Sequence, residues 1–196
     1  MSDTRMKDSI DERSEYFNYL RKRSLAGLLY RRFWLYPRFS RYLSGHVLDI
    51  GCGIGDFLAY RPETVGVDVN PHAVKWCRQK GLAAGMMESD RLPFNVASFD
   101  GVVLDNVLEH LSDPIPLLAE IHRILVPSGH LLVGVPGKRG FAYDPDHKVF
   151  YDELELSVVM SKASFNQQAL FHMPLKSDWM SQRLSQYCLY GVFLKD

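Results

Sequence analysis

Cysteine is scarce in this 196-residue chain, and its spacing does not suit metal or disulfide chemistry. The three cysteines, Cys52, Cys77 and Cys188, are odd in number, lie far apart and include no Cys-x-x-Cys pair. This spacing argues against a disulfide framework and against a zinc site, and it suits a reducing compartment. We therefore predict no metal site from the sequence.

An excess of charge and a long apolar run are also missing. The formal net charge is zero, because 23 basic residues balance 23 acidic ones, so the molecule as a whole is not a polycation that seeks nucleic acid. No segment approaches the ~20 apolar residues of a membrane span, and the polar opening MSDTRMKDSIDERSEYF lacks the apolar core of a signal peptide. We expect a cytoplasmic protein that binds no nucleic acid.

Short apolar segments instead alternate with helical patterns along the chain. Strands are predicted at 47–50, 64–69, 99–104, 130–135 and 187–194. Helices are predicted to begin at Asn70-Pro71 and at Asp113-Pro114 and to cover 151–161, whereas 56–60 has room for only a turn or two. This alternation favours an α/β fold with a mostly parallel sheet, in which a ligand binds beyond the carboxyl ends of the strands.

A glycine cluster directly follows the first predicted strand. In VLDIGCGIGDF, residues 47–57, three glycines occupy alternate positions from Gly51 to Gly55, which marks a tight turn or a close approach of the backbone to a ligand. A dinucleotide fingerprint needs its third glycine one residue later, yet the acid that binds a ribose is present as Asp68. S-adenosylmethionine has a ribose, an adenine and an aminocarboxylate but no pyrophosphate, so it fits this pattern better than a dinucleotide.

Five blocks of the sequence resemble the class I S-adenosylmethionine-dependent methyltransferases, in particular the branch similar to the ubiquinone/menaquinone-type small-molecule enzymes. The blocks lie between 47 and 136 and read VLDIGCGIG, VGVDVNP, DRLPF, SFDGVVLDNVLEHL and EIHRILVPSGHLLVGVP. The resemblance implies a Rossmann-like, doubly wound fold with an antiparallel last strand and helices on both faces. It also implies an enzyme whose cofactor is S-adenosyl-L-methionine.

The resemblance further implies which residues hold the methionine and ribose parts of the cofactor. Asp49 and the turn 51–55 would hold the methionine moiety, and Asp68 would accept hydrogen bonds from both ribose hydroxyls. Asp105 and Asn106 would border the methyl group and the acceptor. An open alternative is that these two residues only cap the helix that follows.

The adenine contact is the least regular part of the resemblance. Met87 would pack on the ring, with Glu88 or Ser89 beside it, although Glu88 is longer than the aspartate usual in the family. Ser128-Gly129 in place of Gly-Gly and the short first helix are further departures. The complete predicted cofactor set is Asp49, Gly51, Cys52, Gly53, Gly55, Asp68, Val69, Met87, Glu88, Ser89, Asp105 and Asn106.

The segment after the predicted strand 130–135 is the candidate for acceptor chemistry. PGKRGFAYDPDHKVF, residues 136–150, shows no periodicity, and a long irregular segment at this end of a sheet usually carries function. We predict His147 as the general base that removes a proton from a hydroxyl acceptor, with His110 and Tyr143 as further catalytic candidates. A purely structural role is the alternative for His110 and for His122, which both lie in predicted helices.

The N-terminal part differs in composition from the rest. Residues 19–42 contain seven basic residues, several aromatics and no acid. We predict a helix over 14–42 that ends near Pro37, and we divide the chain into an N-terminal helical segment, 1–44, and a methyltransferase domain, 45–196. The segment is a lid or a grip for an anionic acceptor, a helix that contacts a membrane surface through residues 19–42, or a helix packed on the domain.

The sequence as a whole predicts a methyltransferase that acts on an oxygen or nitrogen of a small-molecule acceptor, anionic or linked to lipid or carbohydrate. We expect a monomer or homodimer. Two other classes stay open: a methyltransferase-like binding subunit without activity and a nicotinamide-dependent oxidoreductase. The intact glycines and Asp68 argue against the first, and the position of the third glycine argues against the second.

Overall fold

The computed structural model describes residues 24–196 together with Ser14, Phe17, Asn18 and Arg21, and every structural statement below concerns these residues. At its centre lies a seven-stranded sheet. The strands are β1 (Val47–Ile50), β2 (Val65–Asp68), β3 (Ala84–Met86), β4 (Phe99–Asp105), β5 (Leu125–Pro136), β6 (Phe165–Met173) and β7 (Cys188–Lys195). Their order across the sheet is β3-β2-β1-β4-β5-β7-β6.

Short helices connect the strands. They are α1 (Leu25–Tyr30), α2 (Tyr36–Phe39), α3 (Asp56–Tyr60), α4 (Pro71–Gln79), α5 (Ile115–Ile124), α6 (Lys138–Tyr143), α7 (Glu153–Lys162) and α8 (Asp178–Arg183). A π-helical turn (Arg31–Leu35) joins α1 to α2, and a 3-10 helix (Leu108–His110) precedes α5. Among the described helices, none combines the length and the apolar character needed to cross a bilayer.

The strand pairing confirms the predicted sheet. β1 is parallel to β2 and to β4, β2 is parallel to β3, and β4 is parallel to β5. β7 is antiparallel to both β5 and β6, so the last strand runs against the others, as predicted. Because the chain order reverses at β1, between β2 and β4, the carboxyl ends of these three strands form a crevice in which ligands bind in such sheets.

Alternate side chains of β5 show that helices cover both faces of the sheet. Leu131 and Val133 belong to an apolar cluster that includes the buried residues of α5 and α7. Leu132 points to the other face, into a cluster with Leu35 and Phe39 of the N-terminal segment. The prediction of helices on both faces is confirmed.

The N-terminal helix ends at Phe39, two residues after Pro37 and close to the predicted end. The helix continues through the π-helical turn and α2 to Phe39, with Pro37 in the first turn of α2. Proline lacks an N–H and clashes with the carbonyl four residues earlier, and the wider turn directly before it lets the helix continue. Most of the predicted helix before Ser24 lies outside the described residues.

The segment 136–150 is not irregular throughout, which corrects the sequence-based prediction. α6 occupies its first half. This helix of six residues is too short to show a period, and Gly140 within it lowers the helix propensity. β3 and β6 were also missed, because neither strand alternates buried and exposed side chains along its length.

Candidate active site

The turn between β1 and α3 depends on glycine for its backbone conformation. Gly51, Gly53 and Gly55 have φ angles of +71°, +53° and +81°, in the left-handed region that side chains disfavour. Space is limited as well. A Cβ on Gly51 would lie 2.5 Å from Val107 Cγ2, and one on Gly55 would lie 2.6 Å from Leu82 Cδ1. The turn therefore presents bare backbone at the carboxyl end of β1.

Asp68 ends β2 and is hydrogen-bonded to this turn. Its Oδ2 accepts a hydrogen bond from the amide of Gly53 at 2.8 Å, and its Oδ1 accepts one from the amide of Asn70 at 2.8 Å. The residue is only 7% exposed. Burial raises the pKa of Asp68, and these amides oppose the shift. Each carboxylate oxygen has two lone pairs, so the side chain can hold the turn and still accept ribose hydroxyls.

Negative charge accumulates around the carboxyl end of β1. Asp49 is 5% exposed, and its pKa lies well above the ordinary carboxyl value because of burial, the nearby Asp105 and then Asp68. Like charges at such a site favour a bound proton or a cationic ligand. S-adenosylmethionine carries a sulfonium and an ammonium group, so the residues present fit this cofactor.

The predicted adenine side lies after β2 and β3. The amide of Met87 donates a hydrogen bond to the Asp68 carbonyl at 3.2 Å, and its half-buried side chain packs on the main core cluster. Val69 is exposed directly after Asp68. Glu88 and Ser89 are exposed too. This arrangement places Met87 and Val69 beside the predicted ribose contact.

Cys52 has its side chain in the interior. It forms a small apolar cluster with Leu58 and Cys77, and its amide donates to the Val67 carbonyl at 3.1 Å. The neighbouring Cys77 thiol donates to the Gly53 carbonyl at 3.4 Å. The visible contacts of Cys52 support the turn, and its contact with the cofactor stays a prediction.

Asp105 and Asn106 lie where β4 ends, beside the glycine turn. Asn106 has φ of +56°; its Nδ2 donates to Asp105 Oδ1 at 2.9 Å, and its amide donates to the Gly134 carbonyl at 2.9 Å. Arg31 from the π-helical turn reaches the same carboxylate, with 3.8 Å between Nη1 and Asp105 Oδ2. The sequence did not single out Arg31, and the basic excess of residues 19–42 was its only signal.

Two of the three predicted catalytic residues come together. The rings of His110 and His147 lie 4.6 Å apart between centroids. His147 Nδ1 is 2.9 Å from the carbonyl oxygen of Phe141. A carbonyl can only accept, so Nδ1 donates and the lone pair of the neutral ring lies on Nε2. Burial, followed by the proximity of His147, lowers the pKa of His110.

Glu109 joins these histidines and was missed by the sequence reasoning. Its Oε1 lies 3.7 Å from His147 Nε2, and its side chain is fully buried. Burial raises the pKa of Glu109 to about 8, with smaller contributions from Asp105 and Asp144. The only sequence signal was its position beside His110 in the DNVLEHL block.

Tyr143, the third catalytic candidate, lies apart from this cluster. It ends α6 with 64% of its surface exposed. It lines a shallow surface pocket with Lys138, Arg139 and Gln182. Its predicted catalytic role therefore gains no support from a contact with the histidines.

Comparison with known proteins shows that part of the chain is similar to methyltransferases. Residues 48–133 match the family model described as "Methyltransferase domain". A human protein named "Probable tRNA methyltransferase 9B" is 32% identical over 110 residues, which cover 51% of this chain and 24% of that protein. A Mycolicibacterium smegmatis protein named as a probable S-adenosylmethionine-dependent methyltransferase is 28% identical over 163 residues, which cover 74% of this chain and 63% of that protein.

The overall fold is also known from solved structures. A S-adenosylmethionine-dependent methyltransferase from Archaeoglobus fulgidus superimposes with a TM-score of 0.67 at 21% identity, over 88% of this chain and 100% of that chain. At this identity the likeness concerns the fold alone. The chain spans between 24% and 63% of the length of these two curated relatives. The chain thus carries a segment, residues 48–133, that matches a methyltransferase-domain family, on a fold shared with S-adenosylmethionine-dependent methyltransferases.

Proposed function

We propose that the protein is an active methyltransferase that moves a methyl group from S-adenosylmethionine to an oxygen or nitrogen of a small-molecule acceptor. The observation that supports this most directly is the glycine turn held by the Asp68 carboxylate, next to the buried carboxylate of Asp49. These groups match a ligand with ribose hydroxyls and positive charge. When bound, that cofactor supplies a methyl group already activated for displacement.

The chain's own residues have three tasks in this proposal. The turn 51–55 and Asp68 bind and orient the cofactor, and Asp105 with Asn106 borders the acceptor. Holding an acceptor at near-attack distance supplies much of the acceleration of such a displacement. For a hydroxyl acceptor, the lone pair on Nε2 makes His147 the proposed base, and His110 lies against its ring.

The N-terminal segment has a place in this proposal as well. We treat residues 1–44 as a packing element that also reaches the acceptor side, and 45–196 as the cofactor-binding domain. The contact between Arg31 and Asp105 supports this role. A cytoplasmic monomer or homodimer of the ubiquinone/menaquinone-like branch remains our proposal for location, assembly and branch.

A second candidate acceptor is tRNA. The name of the human relative motivates it, and it would reverse the expectation that the protein binds no nucleic acid. The exposed Lys138 and Arg139 beside Tyr143 offer basic and aromatic groups of the kind that bind RNA. The net charge of zero argues for the small molecule.

The experiment for this proposal follows a radiolabelled methyl group from the cofactor into cell extract. A fraction of small metabolites and a fraction of bulk tRNA are tested separately, each with and without ribonuclease. Label in the metabolite fraction supports the first candidate, and ribonuclease-sensitive label supports the second. If the protein binds the cofactor but transfers label to neither fraction, the inactive binding subunit becomes the better hypothesis.

The role of His147 is tested by His147→Ala. We expect an unchanged dissociation constant for the cofactor and a kcat lower by about 10²-fold or more, the usual contribution of a general base. His122→Ala is the matched control, because His122 lies on α5 against Phe165. An unaltered kcat at saturating acceptor would remove His147 from the mechanism.

A further inference from the structure

Three side chains of the kind that bind metal ions meet beside the carboxyl end of β4. Glu109 and His110 come from the 3-10 helix that follows β4, and His147 comes from the segment after α6. One ligand atom of each lies within 4.8 Å of the other two. The sequence-based prediction of no metal site concerned the spacing of the cysteines, and none of these three residues is a cysteine.

The carboxylate of Glu109 is buried, and neither of its oxygens has a hydrogen-bond partner among the described residues. The main-chain carbonyl of Glu109 accepts hydrogen bonds from the amides of Lys148 and Val149 at 2.8 and 3.2 Å. Buried carboxylates in proteins are paired, hydrogen-bonded or bound to a metal ion. Those two backbone bonds hold the segment that carries His147 against the 3-10 helix.

His147 is held as a metal-binding histidine usually is. In such sites one ring nitrogen donates to a backbone carbonyl or carboxylate, which fixes the ring and turns the other nitrogen toward the ion. His147 Nδ1 donates a hydrogen bond to the Phe141 carbonyl at 2.9 Å. The free Nε2 of His147 lies 3.7 Å from Glu109 Oε1 and 3.9 Å from Asp144 Oδ2. A lone pair thus faces two carboxylates with no direct hydrogen bond to either.

The separation between Glu109 and His147 suits a shared cation, and the ligand atom of His110 lies within 4.8 Å of both. Zinc binds imidazole nitrogen at about 2.0–2.1 Å and carboxylate oxygen at about 2.0–2.2 Å in tetrahedral geometry, which puts neighbouring ligand atoms ~3.4 Å apart. The 3.7 Å between His147 Nε2 and Glu109 Oε1 needs to close by only a few tenths of an ångström. Two imidazoles favour zinc and related first-row metals over magnesium or calcium, which prefer oxygen ligands.

We propose that Glu109, His110 and His147 form a binding site for a divalent transition metal of the zinc class, with Asp144 available as a fourth ligand. The binding site itself goes beyond the proposed function and does not depend on it. Its catalytic consequence rests on that function. With a metal bound, His147 would be a ligand and not a free base. The metal would then lower the proton affinity of a hydroxyl acceptor bound at an open coordination position.

The test measures metal binding by the full chain without cofactor or acceptor. The protein is freed of metal with a chelator, and Zn²⁺ is titrated in competition with a chromophoric chelator. We expect one tight site per chain, with affinity lower by at least about tenfold in Glu109→Gln and in His147→Ala, a loss that even outer-shell changes cause. His122→Ala, remote from the cluster, should keep the tight site.

A second readout guards against variants that fail to fold. Co²⁺ bound by nitrogen and oxygen ligands gives a visible absorption spectrum. We expect this spectrum in the wild-type protein and not in Glu109→Gln. Glutamine has nearly the same shape as glutamate, and circular dichroism checks that the variant is folded. Zn²⁺ affinity equal in the wild type and in both cluster variants would overturn the proposal, as would equal loss in His122→Ala. Because no methyl transfer is measured, failure of the metal site and failure of the proposed function are separate results.

Discussion

Replacing Asp68 by alanine tests the ribose assignment and the architecture of the turn together. In the wild type the carboxylate accepts hydrogen bonds from the amides of Gly53 and Asn70, both at 2.8 Å. Asp68→Ala removes both acceptors and the negative charge. A bond to a charged acceptor contributes about 1.5–3 kcal/mol, and an unsatisfied buried group costs about 1–3 kcal/mol. Because two amides lose their acceptor, we expect the free energy of unfolding to fall by ~2–6 kcal/mol in the protein without cofactor.

The loss of cofactor affinity has a separate magnitude. Losing even one charge-assisted hydrogen bond to a ribose hydroxyl, about 1.5 kcal/mol, raises the dissociation constant about tenfold, and losing two raises it about a hundredfold or more. The loosened turn adds to this loss for any ligand. Affinity for a single ligand therefore mixes two effects of the same substitution.

A pair of ligands separates these two effects. Calorimetric titration is carried out with S-adenosylhomocysteine and with its 2′,3′-dideoxy analogue. The wild type should bind the analogue at least about tenfold more weakly, whereas Asp68→Ala should bind both ligands equally. Asn70→Ala is the control, because it removes the side-chain cap of α4, a bond of 3.0 Å to the His72 amide, and keeps the Asp68 carboxylate. If Asp68→Ala still discriminates between the ligands as the wild type does, Asp68 does not bind the ribose.

Three further predictions follow from the same geometry. Gly53→Val forces a β-branched residue to φ of +53°. Titration should then detect no cofactor binding, while circular dichroism shows a folded protein. Normal cofactor binding by this variant would mean that the turn has a structural role only. The raised pKa of Asp49 means that the folded state holds its proton more tightly than the unfolded state, so wild-type stability should fall as pH rises above about 4 toward that pKa. Denaturation of Asp49→Asn at several pH values should show a flatter profile, and an identical slope would contradict the assignment. Removing residues 1–42 takes away part of an apolar core cluster, so the melting temperature and all functions should fall together. Arg31→Gln keeps this packing and should lower turnover more than cofactor affinity. An unchanged turnover would exclude a role for the contact between Arg31 and Asp105.

The fold was predictable where local patterns agree with burial. β1 is a run of four buried residues bounded by turns, and α4 begins with the predicted asparagine cap and first-turn proline. β6 could not be found in this way, because Asn166, Gln167 and Gln168 near its start are exposed polar side chains and its partner is β7, the last described strand. The π-helical turn directly before α2 was equally hidden, since no residue pattern marks it.

The predicted cofactor half and the predicted acceptor half of the site differ in how far the sequence predicts them. The predicted cofactor half is a contiguous turn whose chemistry belongs to the backbone, with Asp68 at the end of the next strand. Spacing and the family resemblance together were enough to point to it, and its contacts with the cofactor stay predictions. The acceptor half brings together residues from three separate parts of the chain. Glu109 meets His147 only because two backbone bonds hold the later segment against the 3-10 helix, and sequence spacing carries no sign of this. The net charge of zero does not reveal how positive and negative charges are distributed. The basic N-terminal segment places Arg31 against Asp105, in the part of the molecule where buried carboxylates accumulate. A cation supplied by the protein offsets part of that negative charge, and this gives the basic segment an electrostatic reason to lie at the carboxyl ends of the strands.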